Sequence, residues 1–195
     1  MYRLAVLASG NGSNLQAILD AVATGDLPVE VAVVASDQPD AHALERATHV
    51  GVPTVVVERQ SDEARADYDA RLAAALAPFE PDLVVLAGFM RILSAKFLGA
   101  FPDRVVNLHP ALPGELPGTH AIERAWQEAL AGERRQSGVM VHYVPDEGVD
   151  CGPVIASRVV PIHLDDTLTT FADRIHATEH RLLVEVLTQL ATTTA

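Results

Sequence analysis

The chain has a single cysteine, Cys151, among 195 residues. An internal disulfide is therefore excluded, and there is no CxxC pair for structural zinc or thiol redox chemistry, which fits a reducing compartment. Lysine is nearly absent too. Lys96 is the only one, and 14 basic residues face 26 acidic ones, for a formal net charge of −12. With that excess and no basic run, neither nucleic acid nor an anionic membrane surface is expected as a partner. No apolar run reaches membrane-spanning length, and Met1-Tyr2-Arg3 leads directly into Leu4-Ala5-Val6-Leu7-Ala8 without a signal-peptide pattern. A cytoplasmic protein acting on small molecules is expected. There is no GxSxG elbow, so a serine hydrolase has no support. His109, His120, His142 and Asp150 are of the right types for zinc, but their spacing matches neither HExxH nor a paired Cys/His pattern, and no metal is expected.

What the chain does have is 49% hydrophobic residues, enough for one compact domain over 1–195. Positions 3–9 read as a buried strand, followed by Gly10-Asn11-Gly12-Ser13-Asn14 and the helical spacing Leu15, Ile18, Leu19, Val22. Further strands are predicted at 29–35, 52–57, 83–87 and 105–108, with helices at 41–49, 62–77 and about 120–131 and a short one capped by Ser94. From Gly138 the pattern changes. Residues 139–144 and 154–160 read as an antiparallel pair, and an amphipathic helix at about 167–190 carries His176, Glu179 and His180. This alternation predicts an α/β fold: a doubly wound, mostly parallel, Rossmann-like sheet with a C-terminal antiparallel strand pair and a closing helix. Residues 1–108 would form a nucleotide-phosphate-binding half, and 109–195 would carry the catalytic loops, the antiparallel strands and the last helix.

Three stretches carry chemistry. The Gly10 to Asn14 turn can bring backbone N–H groups and a helix N-terminus up to a phosphate. It lacks the third glycine of a dinucleotide fingerprint, although Asp37 ends the second strand where a ribose-binding acid would lie. Ser13 and Asn14 offer side-chain donors suited to a phosphomonoester. A plain tight turn with Ser or Asn as N-cap accounts for the same residues. Asn107 and His109 lie at the carboxyl end of a predicted strand, and their i, i+2 spacing sends both to one side. Asp150, in a loop rich in turn residues, can orient an imidazole and favour its charged form, or simply satisfy its own turn. His142 reads as a core or supporting residue, His120 as near a helix start, and His163 as exposed.

Four segments in register, Gly10-Asn11-Gly12-Ser13-Asn14-Leu15-Gln16-Ala17-Ile18, Leu86-Ala87-Gly88-Phe89-Met90-Arg91-Ile92-Leu93, Asn107-Leu108-His109-Pro110 and Asp150-Cys151-Gly152-Pro153-Val154-Ile155, span nearly the whole chain. Together they resemble the phosphoribosylglycinamide formyltransferases, folate-dependent enzymes of purine biosynthesis. Related formyltransferases, including formyltetrahydrofolate hydrolase and the methionyl-tRNA and sugar-nucleotide enzymes, share the Asn-x-His and Asp elements; the GNGSN loop favours the glycinamide branch. The resemblance implies transfer of a formyl group from 10-formyltetrahydrofolate to the amine of glycinamide ribonucleotide by a monomer or homodimer, without a metal. It implies Asn107, His109 and Asp150 as the catalytic trio. Gly12, Ser13 and Asn14 would hold the 5′-phosphate and Glu179 the sugar and glycinamide end. The reduced folate would meet Met90, Arg91, Ile92, Leu93, Val144 and Asp146, with Arg65 on its glutamate tail. By the same resemblance, Asn107 and His109 would meet the oxyanion, and Asp150 would raise the pKa of His109.

The pattern is broken at three places: Leu112-Pro113-Gly114-Glu115-Leu116-Pro117-Gly118 has shifted prolines and no aromatic, Met140 replaces a small hydroxyl residue, and the 146–150 loop is one residue longer than in some relatives. Two other readings follow from the residues. One is the hydrolase; the other is a catalytically inactive nucleotide-binding relative, which the displaced prolines favour. An NAD-linked oxidoreductase ranks behind both.

Overall fold

In the computed structural model, residues 1–193 are described; positions 194 and 195, the end of the expected 1–195 domain, lie outside the described residues. β1 (Tyr2–Leu7) leads through the Gly-rich turn into α1 (Ser13–Thr24), then β2 (Val29–Ser36), α2 (His42–His49), β3 (Thr54–Val56) and α3 (Arg65–Leu76). A 3-10 turn at Ala77–Phe79 precedes β4 (Leu83–Leu86), α4 (Ala95–Leu98), β5 (Val105–His109) and α5 (Ala121–Leu130). β6 (Gln136–Tyr143), β7 (Val154–Pro161) and α6 (Leu168–Thr193) follow. The seven strands form one sheet in the order β3-β2-β1-β4-β5-β6-β7. Pairings among the first five are parallel, and β5–β6 and β6–β7 are antiparallel. The predicted doubly wound sheet with its antiparallel end is what forms.

Side-chain alternation along β1 explains the two layers. Leu4 and Val6 face a core built with α1, α2, α5 and α6, whereas Ala5 and Leu7 face one built with α3 and α4. Both faces are covered, which is why the parallel strands read as continuous apolar runs rather than alternating ones. Phe171 of α6 is fully buried and stacks on Trp126 of α5 at 6.3 Å between ring centroids, fastening the closing helix to the sheet. Truncating such a ring costs about 3–5 kcal/mol.

Strand order reverses between β1 and β4, and a doubly wound sheet opens a crevice at that point. The loops leaving the two strands are stitched there: Ser9 N–H donates to the Gly88 carbonyl at 3.0 Å, and Met90 N–H to Ser9 Oγ at 2.8 Å. The Gly-rich turn, the Gly88–Leu93 segment and the end of β5 are thus neighbours.

Candidate active site

Gly12 is the N-cap of α1, with φ 75° and no side-chain cap bond. A Cβ there would lie 2.7 Å from Ala43 Cβ, so glycine is required both by the left-handed backbone and by the close approach of α2. Arg46 of α2 braces the turn through the carbonyl of Asn11 (2.9 Å) and its Oδ1 (3.2 Å). The alternative of a Ser or Asn N-cap is not realised. The first N–H groups of α1 therefore remain available beside Ser13 and Asn14, and Asn14 Oδ1 is buried without a partner.

A cavity of about 470 Å³ begins at Ser13 and Asn14 and runs under the Gly88–Leu93 segment to the ends of β5 and β6. Its wall includes Asn107, His109, Asp150 and Glu179, together with Met90, Arg91, Ile92, Leu93, Val144 and Asp146. Of the predicted site residues, Gly12 and Arg65 are off this wall. Gly12 sits directly behind Ser13. Arg65, at the start of α3, lines a smaller neighbouring cavity of about 280 Å³ that shares Met90, Arg91 and Ile92 with the first, and its guanidinium is paired with Glu147. Met90 and Ile92 are exposed, leaving an apolar lip where the two cavities meet, and Leu93 is buried beneath it.

Asn107 and His109 share a face of β5, and the antiparallel register sets His142 of β6 directly opposite Asn107 and Met140 opposite His109. Asp150 reaches the same point from the β6–β7 turn in a left-handed conformation, φ 52°. Gly152 closes that turn so tightly that a Cβ would fall 1.9 Å from the Tyr143 carbonyl.

The polar atoms of the trio bond to one another, to His142 and to the main chain. Asn107 Nδ2 donates to Asp150 Oδ1 at 3.0 Å and to His142 Nε2 at 3.2 Å. That assigns the His142 proton to Nδ1, which donates to the Tyr143 carbonyl at 2.8 Å. A flipped Asn107 amide would aim its oxygen at a carboxylate. Gly118 N–H donates to Asp150 Oδ2 at 2.8 Å, and His109 sits between Asp150 Oδ2 (3.3 Å from Nδ1) and the Leu116 carbonyl (3.1 Å from Nε2). Both His109 nitrogens thus face acceptors. A neutral ring satisfies one of them, and an imidazolium satisfies both.

Burial is the largest influence on His109 and pushes its pKa below the ordinary 6.5; Asp150 and the Leu116 carbonyl act to raise it and are outweighed. Asp150 thus acts on His109 in the expected direction, but the ring is buried deeply enough for desolvation to dominate the net shift. Burial also acts to raise Asp150, but the His142 ring, the Gly118 N–H and the neighbouring His109 outweigh it and hold the carboxyl below its usual range. An ionised carboxylate beside a neutral imidazole can receive a proton on the ring and stabilise the resulting cation.

Two further expectations are revised. Asp37 accepts from Ser9 Oγ (2.6 Å), Gln38 Nε2 (2.9 Å) and Arg91 Nε (2.7 Å); its oxygens are occupied in positioning Arg91, not poised for a ribose. Ser94 is the N-cap of α4, but its hydroxyl makes no cap bond, and the Ala95 N–H is instead taken by Glu147 Oε1 at 2.9 Å. His142 is buried and contacts the amide of Asn107, in keeping with its reading as a core or supporting residue. His120 is the N-cap of α5 and lines the cavity, and His176 on the same wall bonds Glu179 through Nδ1 at 2.7 Å. Glu179 pushes the His176 pKa up, against burial. A histidine one helical turn from a buried glutamate was the signal in the sequence for that pair. Among the described residues no cluster of three or more His, Cys, Asp or Glu is arranged to hold a metal ion, and no helix is long and apolar enough to cross a membrane.

Known proteins are similar in sequence and fold. The family described as formyl transferase matches residues 2–187. A phosphoribosylglycinamide formyltransferase of Dictyostelium discoideum is 42% identical over 98% of this chain and 98% of its own length, and one of Mycobacterium tuberculosis is 45% identical over 97% and 85%. The crystal structure of a phosphoribosylglycinamide formyltransferase from Bacillus halodurans superposes with a TM-score of 0.91 at 38% identity, covering 99% of this chain and 97% of that one. With a full-length family match and relatives well above 30% identity, the chain belongs to the formyl transferase family.

Proposed function

We propose that this chain transfers the formyl group of 10-formyltetrahydrofolate to the amine of 5′-phosphoribosylglycinamide, a step of purine biosynthesis. The observation that carries the reading is a single cavity that joins an open helix N-terminus at Ser13 and Asn14, an apolar lip at Met90–Leu93, and Asn107, buried His109 and Asp150 between them. Each end suits one substrate. The N–H groups behind Gly12 and the donors of Ser13 and Asn14 receive the 5′-phosphate, with Arg46 adding positive charge nearby. Glu179, held by His176, takes the sugar and glycinamide end. The pterin lies against Met90, Arg91, Ile92 and Leu93 opposite Val144 and Asp146, and the tail carboxylate reaches Arg65.

The amine nitrogen attacks the formyl carbon, a C–N bond forms, and the carbonyl oxygen takes the negative charge. Burial keeps His109 neutral beforehand, so the ring can accept the proton released by the attacking nitrogen. The imidazolium is then stabilised by ionised Asp150 and by the oxyanion. The proton is delivered to the folate nitrogen as its bond to the formyl carbon breaks, and His109 returns to neutral. Asn107 donates its two N–H groups to Asp150 and His142, so its first task is to hold both in place. It meets the oxyanion only by exchanging one of these partners.

The test is a two-substrate assay with each substrate omitted in turn. Consumption of the folate only when the ribonucleotide is present supports transfer. Consumption without the ribonucleotide identifies a hydrolase, and binding of the ribonucleotide with no turnover identifies an inactive relative.

A further inference from the structure

The Arg65–Glu147 pair occupies the strip between the two cavities. Arg65 opens α3 and lines the smaller cavity, while Glu147 lies between Asp146 and Gly148, which line the larger. Both side chains are a little over two-fifths exposed, so the pair is open to a solute at the edge of the cavities. Glu147 has a second anchor, because its Oε1 accepts the Ala95 N–H at 2.9 Å while Oε2 takes the guanidinium. One oxygen can therefore let go while the loop stays tethered by the other. Arg91 is held by Asp37 and Arg71 by Glu63, whereas Arg59, on the wall of the smaller cavity, bonds the Glu63 main-chain carbonyl. The carboxylate already seated on Arg65 belongs to the protein itself.

We propose that Glu147 is an internal stand-in for the carboxylate of the formyl donor: it holds Arg65 when the cavity is empty and is displaced by the donor's tail, so Glu147 sets how strongly that tail is recognised. This rests on the reading that a carboxylate-bearing donor lies in the larger cavity with its tail toward Arg65. Exchange of one carboxylate for another keeps the guanidinium paired in both states, and only the difference between the two partners contributes to donor affinity. The Ala95 N–H, the largest influence on Glu147, together with Arg65 holds its pKa below the usual range, so the competitor stays charged wherever the donor's carboxylate is charged. A neutral residue at 147 would leave Arg65 free for the donor.

The experiment compares two donors, 10-formyltetrahydrofolate and its tail diamide, in which both glutamate carboxylates are converted to amides. The readout is the ratio of their KM values. In the wild type the ratio records what the tail charge contributes. Glu147→Gln keeps an acceptor for the Ala95 N–H and removes the charge, and it should raise the ratio about two- to five-fold, the range an exposed ion pair sustains, through a lower KM for the carboxylate donor. Arg65→Ala should bring the ratio close to one, and adding Glu147→Gln to it should change nothing further. An unchanged or lower ratio in Glu147→Gln, with Arg65→Ala behaving as expected, overturns the stand-in role alone. A wild-type ratio that survives Arg65→Ala overturns the placement of the tail on Arg65, and the stand-in role with it.

Discussion

Replacing Asp150 with asparagine removes one charge from the centre of the trio and almost no volume. The left-handed backbone at this position, φ 52°, is one that Asn tolerates as well as Asp, so the turn itself is not strained. The hydrogen bonds are. Asp150 accepts from Asn107 Nδ2 at 3.0 Å and from Gly118 N–H at 2.8 Å on different oxygens, and an amide offers one oxygen for the two. Whichever way it turns, an NH2 group faces another donor, which costs about 1–3 kcal/mol. For a chain of this length that is a fall in Tm of roughly 2–12 °C. The kinetic loss is larger. The imidazolium formed during transfer loses its counter-charge 3.3 Å from Nδ1, and a positioned proton-transfer partner contributes on the order of 10²–10⁴ in rate. A fall of about 10³ in kcat, or roughly 4 kcal/mol in the barrier, is expected with both substrates saturating and the far-UV spectrum unchanged. Asp150→Ala, which also strains the left-handed backbone, should melt lower still. An asparagine variant within ten-fold of wild-type kcat would refute the assignment of that charge to the chemistry.

Because His109 must be neutral to accept a proton and its pKa is depressed by burial, kcat/KM should fall on the acid side with a midpoint below 6.5; a midpoint above about 7 would contradict it. The same depressed pKa means that the contribution of His109 to stability is whole above 6.5 and is lost as pH falls through its folded value. His176 runs the other way: its folded pKa is raised by Glu179, so that contribution is fully present below 6.5 and lost as pH rises through the folded value. Urea titrations of His176→Gln should therefore show a deficit against wild type in acid that vanishes in alkali. Gly12→Ala combines a left-handed backbone with a contact 2.7 Å from Ala43 Cβ and should cost at least about 2 kcal/mol, with a raised KM for the ribonucleotide. Asp37→Ala strips Arg91 of its partner at 2.7 Å; KM for the folate should rise and thermal stability fall by about 1–3 kcal/mol, and an unchanged folate KM would show that Arg91 needs no anchoring.

What was legible in the sequence follows from what side-chain pattern can encode. Val29–Ser36 and Leu83–Leu86 announce parallel strands because both faces of each are buried, and Asn107 and His109 announce a site because polar residues interrupt such a run at its carboxyl end. Three things lay outside that pattern. The register that sets His142 opposite Asn107 depends on the path of the long connection through α5 between β5 and β6, not on the strand residues themselves. The pKa of His109 depends on burial winning over a neighbouring charge, and a one-dimensional pattern holds only the charge. The third is the main chain: the Leu116 carbonyl on His109 and the Gly118 N–H on Asp150 have no sequence signature at all.

That last point changes how the rewritten loop from Leu112 to Gly118 should be understood. Its shifted prolines and missing aromatic suggested a threat to the site, yet what it contributes to the trio is two backbone groups. Those groups depend on the path of the loop. Leu116 and Gly118 both have positive φ, 47° and 83°, and the path is pinned by Arg134 on Glu115, by Arg124 on the Pro117 carbonyl at 2.8 Å, and by Leu112 lying where a side chain on Gly138 would otherwise stand. Side chains in such a loop can change freely provided these anchors deliver the same carbonyl and the same N–H. The constraint therefore falls on Gly118, Gly138, Arg124 and Arg134, and substitutions there should disturb His109 and Asp150 more than any exchange of the loop's own exposed residues.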